Sequence, residues 1–75
     1  MRDLVEYLAK SLVDDPEAVT VEERPGATTI YELSVGPGDL GKVIGRQGRT
    51  AKAMRTLLAA RAEIEGKHAT LEILD

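Results

Sequence analysis

The chain has 75 residues, a formal net charge of −3, no cysteine and a single histidine, His68. A chain of this length forms one domain with a thin hydrophobic core. The composition excludes disulfides and thiolate metal sites, and one histidine alone builds neither a zinc site nor a catalytic pair. We therefore expect no metal, no cofactor and no enzymatic activity, with His68 exposed in a loop.

Signals for membrane insertion or export are also missing from the sequence. No apolar run approaches the roughly 18 residues that span a bilayer, and Asp3 and Glu6 stand where a signal peptide is apolar. We expect a soluble, cytoplasmic protein without contact to the membrane.

The first predicted element is an amphipathic helix in the segment RDLVEYLAKSLVDDP. Asp3, followed three residues later by Glu6, is a carboxylate variant of the capping box that begins helices. The helix stops before Pro16, because the residue before a proline avoids the helical conformation. Its apolar side consists of Leu4, Val5, Leu8 and Leu12.

Two strands follow, in the segments AVTVEER and TTIYELSV. Apolar and polar residues alternate in both, which is typical of strands with one buried face. The inward side chains are Val19, Val21, Tyr31, Leu33 and Val35. The PGATT segment between them is typical of a turn, so we predict an antiparallel hairpin.

After the hairpin the sequence predicts two helices separated by a glycine-containing loop. Asp39 can cap a one-turn helix that ends at Ile44, where Gly45 terminates it. A longer helix begins near Arg49 and ends before Gly66. Its predicted buried side chains are Met54, Leu57, Leu58 and Ile64.

The last predicted element is a strand in ATLEIL, with Ala69, Leu71 and Ile73 on one face. The order of elements is therefore α-β-β-α-α-β. This order predicts an α+β fold for a single domain over residues 1–75, in which helices cover one face of a three-stranded mixed sheet.

Two phosphate-binding motifs are nearly present, but their structural context is absent. Residues 36–41, GPGDLG, match the G-x-G-x-x-G pattern of dinucleotide-binding folds, yet the next helix is too short and no acidic residue lies about 20 positions on. The segment fails as a P-loop because Val43 stands where Ser or Thr must bind magnesium. We expect no nucleotide or other small-molecule substrate.

Basic residues are concentrated in one segment of this acidic chain. Residues 41–61 contain six basic residues and no acidic one, whereas the rest of the chain contains four basic and thirteen acidic residues. This arrangement is typical of a localised anion site on a body that repels anions elsewhere. A solvated basic helix face is the alternative interpretation.

The stretch GKVIGRQGRT contains a G-x-x-G loop from Gly45 to Gly48. Gly45 lets the chain leave the first helix in a left-handed conformation, and Gly48 keeps side chains away from an approaching sugar-phosphate. Free N–H groups from Gly48 onward, and the charges of Arg46, Arg49 and Lys52, would then face an anion. A plain helix hairpin, whose glycines only satisfy the geometry, is the alternative.

Because Val43 and Ile44 stand directly before this loop and a basic helix follows it, the sequence resembles the KH family of RNA-binding domains. The resemblance covers nearly the whole chain, and the element order is similar to the bacterial, type II arrangement. It implies a loop that clamps the backbone of about four single-stranded nucleotides. The implied RNA-binding residues are Lys42, Val43, Ile44, Gly45, Arg46, Gln47, Gly48, Arg49 and Lys52.

Contacts to bases are expected to depend on aliphatic side chains. Tyr7 and Tyr31 are the only aromatic residues, so an aromatic stacking platform is not expected. We expect Ile44 to be largely buried beneath the loop, with one edge in an apolar floor for bases to which Val43 adds. The affinity should then be modest and the sequence preference loose.

The family resemblance also implies partners and a cellular role. It implies an RNA chaperone or post-transcriptional regulator that pairs with a second KH protein and is linked to cell-wall homeostasis and cell shape. The thin core and the two open sheet edges favour such a heterodimer or a homodimer. The alternative is a KH-scaffold protein-interaction module without RNA binding, although the acid-free segment 41–61 favours RNA.

Overall fold

A computed structural model describes residues 1–75. The helices and strands follow one another in the predicted α-β-β-α-α-β order, with two short 3₁₀ turns that were not predicted. The elements are α1 (Arg2–Leu12), β1 (Thr20–Arg24), β2 (Thr29–Ser34), α2 (Leu40–Ile44), α3 (Arg49–Ile64) and β3 (Ala69–Ile73). The 3₁₀ turns are Pro16–Ala18 and Arg46–Gly48. None of the helices has both the length and the apolar composition that crossing a membrane requires.

The three strands form one mixed sheet in the order β1-β2-β3. β1 and β2 are antiparallel, with Glu23 opposite Tyr31, which confirms the predicted hairpin. β2 and β3 are parallel, with Tyr31 opposite Leu71. Parallel neighbours require a long crossover connection, which α2 and α3 provide here. The crossover therefore carries the G-x-x-G loop.

One face of the sheet and the helices enclose the hydrophobic core. Successive side chains of a strand point to opposite faces, so each strand contributes every second residue to this core. The buried strand residues are Val21, Tyr31, Leu33 and Leu71. The buried helix residues of the same cluster are Val5, Ala9, Val43, Met54 and Leu58. Burying each large apolar side chain contributes roughly 1.5–3 kcal/mol, which holds the helices on this face.

The opposite face of the sheet carries a row of acidic side chains. Glu22 lies opposite Glu32, and Glu32 lies opposite Glu72, so each strand places one carboxylate in the same row. Arg24 donates from Nε to Glu32 Oε1 at 2.7 Å. The helices therefore cover one face of the sheet, as predicted, and the uncovered face carries this row of carboxylates.

The prediction of a capping box in α1 was wrong. The helix begins one residue before Asp3, with Met1 at the N-cap position, and no side chain caps it. Asp3 lies instead in the first turn, where its negative charge favours the helix dipole. The helix ends at Leu12, before Pro16 as predicted.

Two apolar side chains that were predicted to be buried are exposed, Leu57 by 52% and Ile64 by 78%, and Leu12, on the predicted apolar side of α1, is 40% exposed. Leu12 is the last residue of α1. The buried line of α3 consists of Ala51, Met54, Leu58 and Ala62. Each residue turns a helix by 100°, so Leu57 points about 100° away from Leu58, and Ile64 about 200° away from Ala62.

Candidate nucleic-acid interface

The loop between α2 and α3 is a tight turn with three residues at positive φ. Gly45 has φ 76° and ψ 172°, Gln47 has φ 58° and ψ 25°, and Gly48 has φ 73° and ψ 12°. The N–H of Gly45 donates to Gly41 O at 2.8 Å, and the N–H of Gly48 donates to Gly45 O at 3.1 Å. Gly45 was predicted to adopt a left-handed conformation; its φ is positive, but its ψ is extended, so its conformation is not left-handed helical.

Gly45 is required by a close contact as well as by its φ. A Cβ atom at this position would lie 2.1 Å from Thr50 Oγ1 and 2.6 Å from Thr50 Cβ. Around Gly48, by contrast, a Cβ atom would meet nothing within 4 Å. Gly45 therefore packs inside the turn, whereas Gly48 leaves open space beside the backbone, as an approaching ligand requires.

Gln47 is the only residue other than glycine at positive φ. The left-handed region costs an L-residue other than glycine roughly 1–2 kcal/mol. Strain of this kind is concentrated at ligand-binding sites, where the surrounding structure enforces it. This feature could not be predicted from the sequence, because glutamine carries no signal for positive φ, unlike the glycines that flank it.

Three basic side chains at this turn have no partner within the protein. Arg46, Arg49 and Lys52 are exposed, and their side chains form none of the ion pairs or side-chain hydrogen bonds within the protein. Arg49 and Lys52 are three residues apart in α3, which makes them neighbours on the helix surface. A shallow groove beside the loop is lined by Arg49, Lys52, Ala53, Thr56 and Leu57.

The backbone N–H groups at the start of α3 are less available than expected. The N–H of Gly48 donates to Gly45 O, and the N–H of Arg49 donates to Arg46 O. The expectation of free donors from Gly48 onward was therefore wrong for these two residues. The 3₁₀ turn Arg46–Gly48 satisfies them, so these two N–H groups are not free to bind an anion.

The two aliphatic residues before the loop have different environments. Val43 is fully buried in the core, whereas Ile44 is 37% exposed, so the expectation that Ile44 is largely buried was wrong. α2 has only five residues, and its inward side is occupied by Val43, while the next residue lies 100° round the helix. Val43 therefore anchors the loop, and Ile44 has a side chain that a ligand can contact.

Comparison with known proteins identifies the family. A model of the KhpA/KhpB KH domain matches residues 2–73. The chain belongs to this KH family. The RNA-binding protein KhpA of Clostridium perfringens is 55% identical over 75 residues, which cover 99% of this chain and 100% of the relative. The RNA-binding protein KhpA of Aquifex aeolicus is 50% identical over 76 residues, which cover 100% of this chain and 96% of the relative.

The KH domain also resembles part of two crystal structures of the protein Era. One, of an Aquifex aeolicus Era variant bound to GDP and AlF4⁻, matches with a TM-score of 0.64 and 24% identity. The other, of Era with MgGDPNP and nucleotides of 16S ribosomal RNA, matches with a TM-score of 0.64 and 22% identity. Each match covers 96% of this chain but 28% of the Era chain. The likeness shows that the fold is a small α+β KH-like domain.

Lys42, predicted to lie in the binding site of the KH domain, is held by two carboxylates. Its Nζ donates a hydrogen bond to Asp14 Oδ2 and lies 3.6 Å from Asp39 Oδ1. The hydrogen bond to Asp14 raises the pKa of Lys42, and the charge of Asp39 raises it further. Lys42 is therefore charged but already paired, unlike the three free cations of the turn.

Asp39 stands at the N-cap position of α2, but its side chain makes no cap hydrogen bond. The predicted capping role was wrong because the carboxylate has a tertiary partner. Asp39 is buried, and its Oδ2 accepts a hydrogen bond from the Asp15 N–H at 3.1 Å. This hydrogen bond lowers the pKa of Asp39. The side chain thus ties the segment after α1 to the helix that leads into the loop.

Proposed function

We propose that this KH domain binds single-stranded RNA through the Gly45–Gly48 loop and the first turn of α3. The observation that carries the proposal is the group of free cations, Arg46, Arg49 and Lys52, at a turn whose backbone is open beside Gly48. Such groups fix a sugar-phosphate backbone without reading its sequence. The relatives named RNA-binding protein KhpA support this function.

The remaining cations of the basic segment have partners within the protein. Arg61 pairs with Glu65 at 2.9 Å, and Arg55 donates from Nε to Leu71 O at 3.1 Å. Lys42 pairs with acidic groups as well. In this segment the cations without any hydrogen-bond or ion-pair partner are therefore those at the loop, and the row of glutamates on the uncovered sheet face repels phosphate. RNA should approach from the side of α2 and α3.

We expect the salt dependence of RNA binding to reflect the number of these cations that contact phosphate. Three phosphate contacts on a single strand give a slope of roughly −2 for log K against log salt concentration. Binding of a labelled single-stranded RNA, measured from about 50 to 200 mM salt, tests this value. A duplex of the same sequence is the control and should bind more weakly. Salt-independent binding, or a preference for the duplex, would contradict the proposed interface.

The aromatic residues support a loose sequence preference. Tyr31 is buried in the core, and Tyr7 is 70% exposed but lies on α1, outside the loop. Neither supplies a stacking platform beside the cations. The exposed side of Ile44 is the apolar surface next to the loop, so base contacts rest on aliphatic packing.

We further propose that the domain pairs with a second copy or with another KH protein. β1 and β3 each leave one edge of the sheet open. In addition, exposed apolar side chains recur on α3 at intervals of four, three and four residues. This stripe consists of Ala53, Leu57, Ala60 and Ile64. The spacing is that of helices packed against each other.

Glutamate substitutions on the stripe test the pairing. Leu57→Glu and Ile64→Glu should each shift the protein towards the monomer in light scattering, because the new charge would be buried in the interface. Ala59→Glu is the matched control, since it places the same charge about 200° round the helix from Leu57. A wild-type protein that is monomeric at high concentration and captures no KH protein in pull-downs would contradict the proposal.

We also propose a cellular role, which the family resemblance implies. The domain acts in the cytoplasm as an RNA chaperone or post-transcriptional regulator, with effects on cell-wall homeostasis and cell shape. The function as a KH-scaffold module without RNA binding is the alternative. Crosslinking the protein to RNA in cells and sequencing the attached RNA separates the two, because an interaction module would carry no reproducible set of transcripts.

A further inference from the structure

The ion pair between Lys42 and Asp14 joins the candidate site to the segment after α1. Asp14 precedes Lys42 by 28 positions in the sequence. Its side chain is 81% exposed and that of Lys42 is 41% exposed, so both partners face water. Lys42 lies three residues before Gly45, on the helix that leads into the loop.

We propose that Asp14 competes with RNA phosphate for the Lys42 ammonium, and that this competition limits the RNA affinity of the domain. The inference rests on the proposed RNA-binding function. Carboxylate and phosphate are both anionic acceptors, and an ammonium on a long flexible side chain bonds to either. Asp14 thus sets the affinity although it lies outside the loop.

Asp39 differs from Asp14 in that it cannot be displaced easily. Its carboxylate is buried and accepts the Asp15 N–H, and it remains 3.6 Å from Lys42 Nζ. Asp14 is exposed, and an exposed ion pair contributes little to stability. An incoming phosphate therefore replaces Asp14 as the partner of Lys42, while Asp39 keeps the lysine beside the loop.

The test compares RNA binding by the wild-type protein, Asp14→Asn and Asp15→Asn. Asp15→Asn is the matched control: it removes the same charge one residue away, and the Asp15 side chain has no ion pair with Lys42. At low salt we expect Asp14→Asn to tighten binding of a labelled single-stranded RNA about two- to fivefold, the range of an exposed ion pair. The salt slope should steepen by at most about 0.7, since Lys42 then contacts phosphate without competition from Asp14. Asp15→Asn should change the RNA affinity and the salt slope clearly less.

A second comparison tests whether the effect of Asp14→Asn on RNA affinity depends on Lys42. In Lys42→Gln protein, Asp14→Asn should have no larger effect than Asp15→Asn. Equal effects of the two substitutions in the wild-type background, or a gain from Asp14→Asn that persists without Lys42, would overturn the inference. Failure of the proposed function looks different, because the wild-type protein itself would then not bind single-stranded RNA. Thermal melting of each variant confirms that the compared proteins are folded.

Discussion

Replacing Arg46 and Gln47 together by Asp is expected to abolish RNA binding and leave the domain folded. Both side chains are exposed, and substitutions at such positions usually change stability by less than about 0.5 kcal/mol. Aspartate also tolerates the positive φ of 58° found at Gln47. Two carboxylates would meet the phosphate backbone where one arginine had attracted it, so the charge at the contact point changes by three units.

The control for this variant is Lys67→Asp together with His68→Asp. It produces the same change in formal charge at exposed positions beyond the far end of α3, a helix of 16 residues and therefore about 24 Å long. Binding curves with a labelled single-stranded RNA and thermal melting by circular dichroism are recorded for both variants. If the loop variant melts like the wild type and binds with unchanged affinity, or if the control loses binding equally, the loop is not the site.

The strands of the fold could be predicted because the alternation of apolar and polar residues is a local pattern, which the folded protein follows. Tyr31, Leu33 and Leu71 are buried as the period of two predicts. The buried side of α3 was not predictable in the same way, since two of its four buried residues are alanines. Alanine occurs on buried and exposed sides of helices alike. The sequence therefore predicted burial for Leu57, which is exposed, and not for Ala51, which is buried.

The position of the turn was also predictable, but its conformation and supports were not. Paired glycines after Val43 and Ile44 mark the end of one helix and the start of the next. The positive φ of Gln47 has no local sequence signal. The hydrogen bond from Asp15 to Asp39 and the ion pair of Lys42 join residues 24 and 28 positions apart, beyond the reach of any periodic pattern.

Among single substitutions, Gly45→Ala is expected to destabilise the domain strongly. The new Cβ would stand 2.1 Å from Thr50 Oγ1 and 2.9 Å from the Thr50 backbone N, at a φ of 76°. Backbone strain of roughly 1–3 kcal/mol and overpacking of roughly 1–3 kcal/mol combine there, so we expect a loss of about 2–6 kcal/mol. The backbone contact prevents a simple side-chain rotation from relieving the clash.

Gly48→Ala is the comparison that separates folding from binding. Gly48 has φ 73° and ψ 12°, a left-handed conformation that costs alanine roughly 1–2 kcal/mol, and the new Cβ meets no atom within 4 Å, so the expected loss is only about 1–2 kcal/mol. Melting temperatures should then differ by roughly 10 °C or more between the two variants of this small domain. Gly48→Ala should nevertheless weaken RNA binding while the protein stays folded, because its methyl group occupies the space left for the sugar-phosphate. A Gly45→Ala protein that melts no lower than Gly48→Ala would show that the Thr50 contact does not require glycine, and full RNA binding by Gly48→Ala would show that RNA does not pass over Gly48.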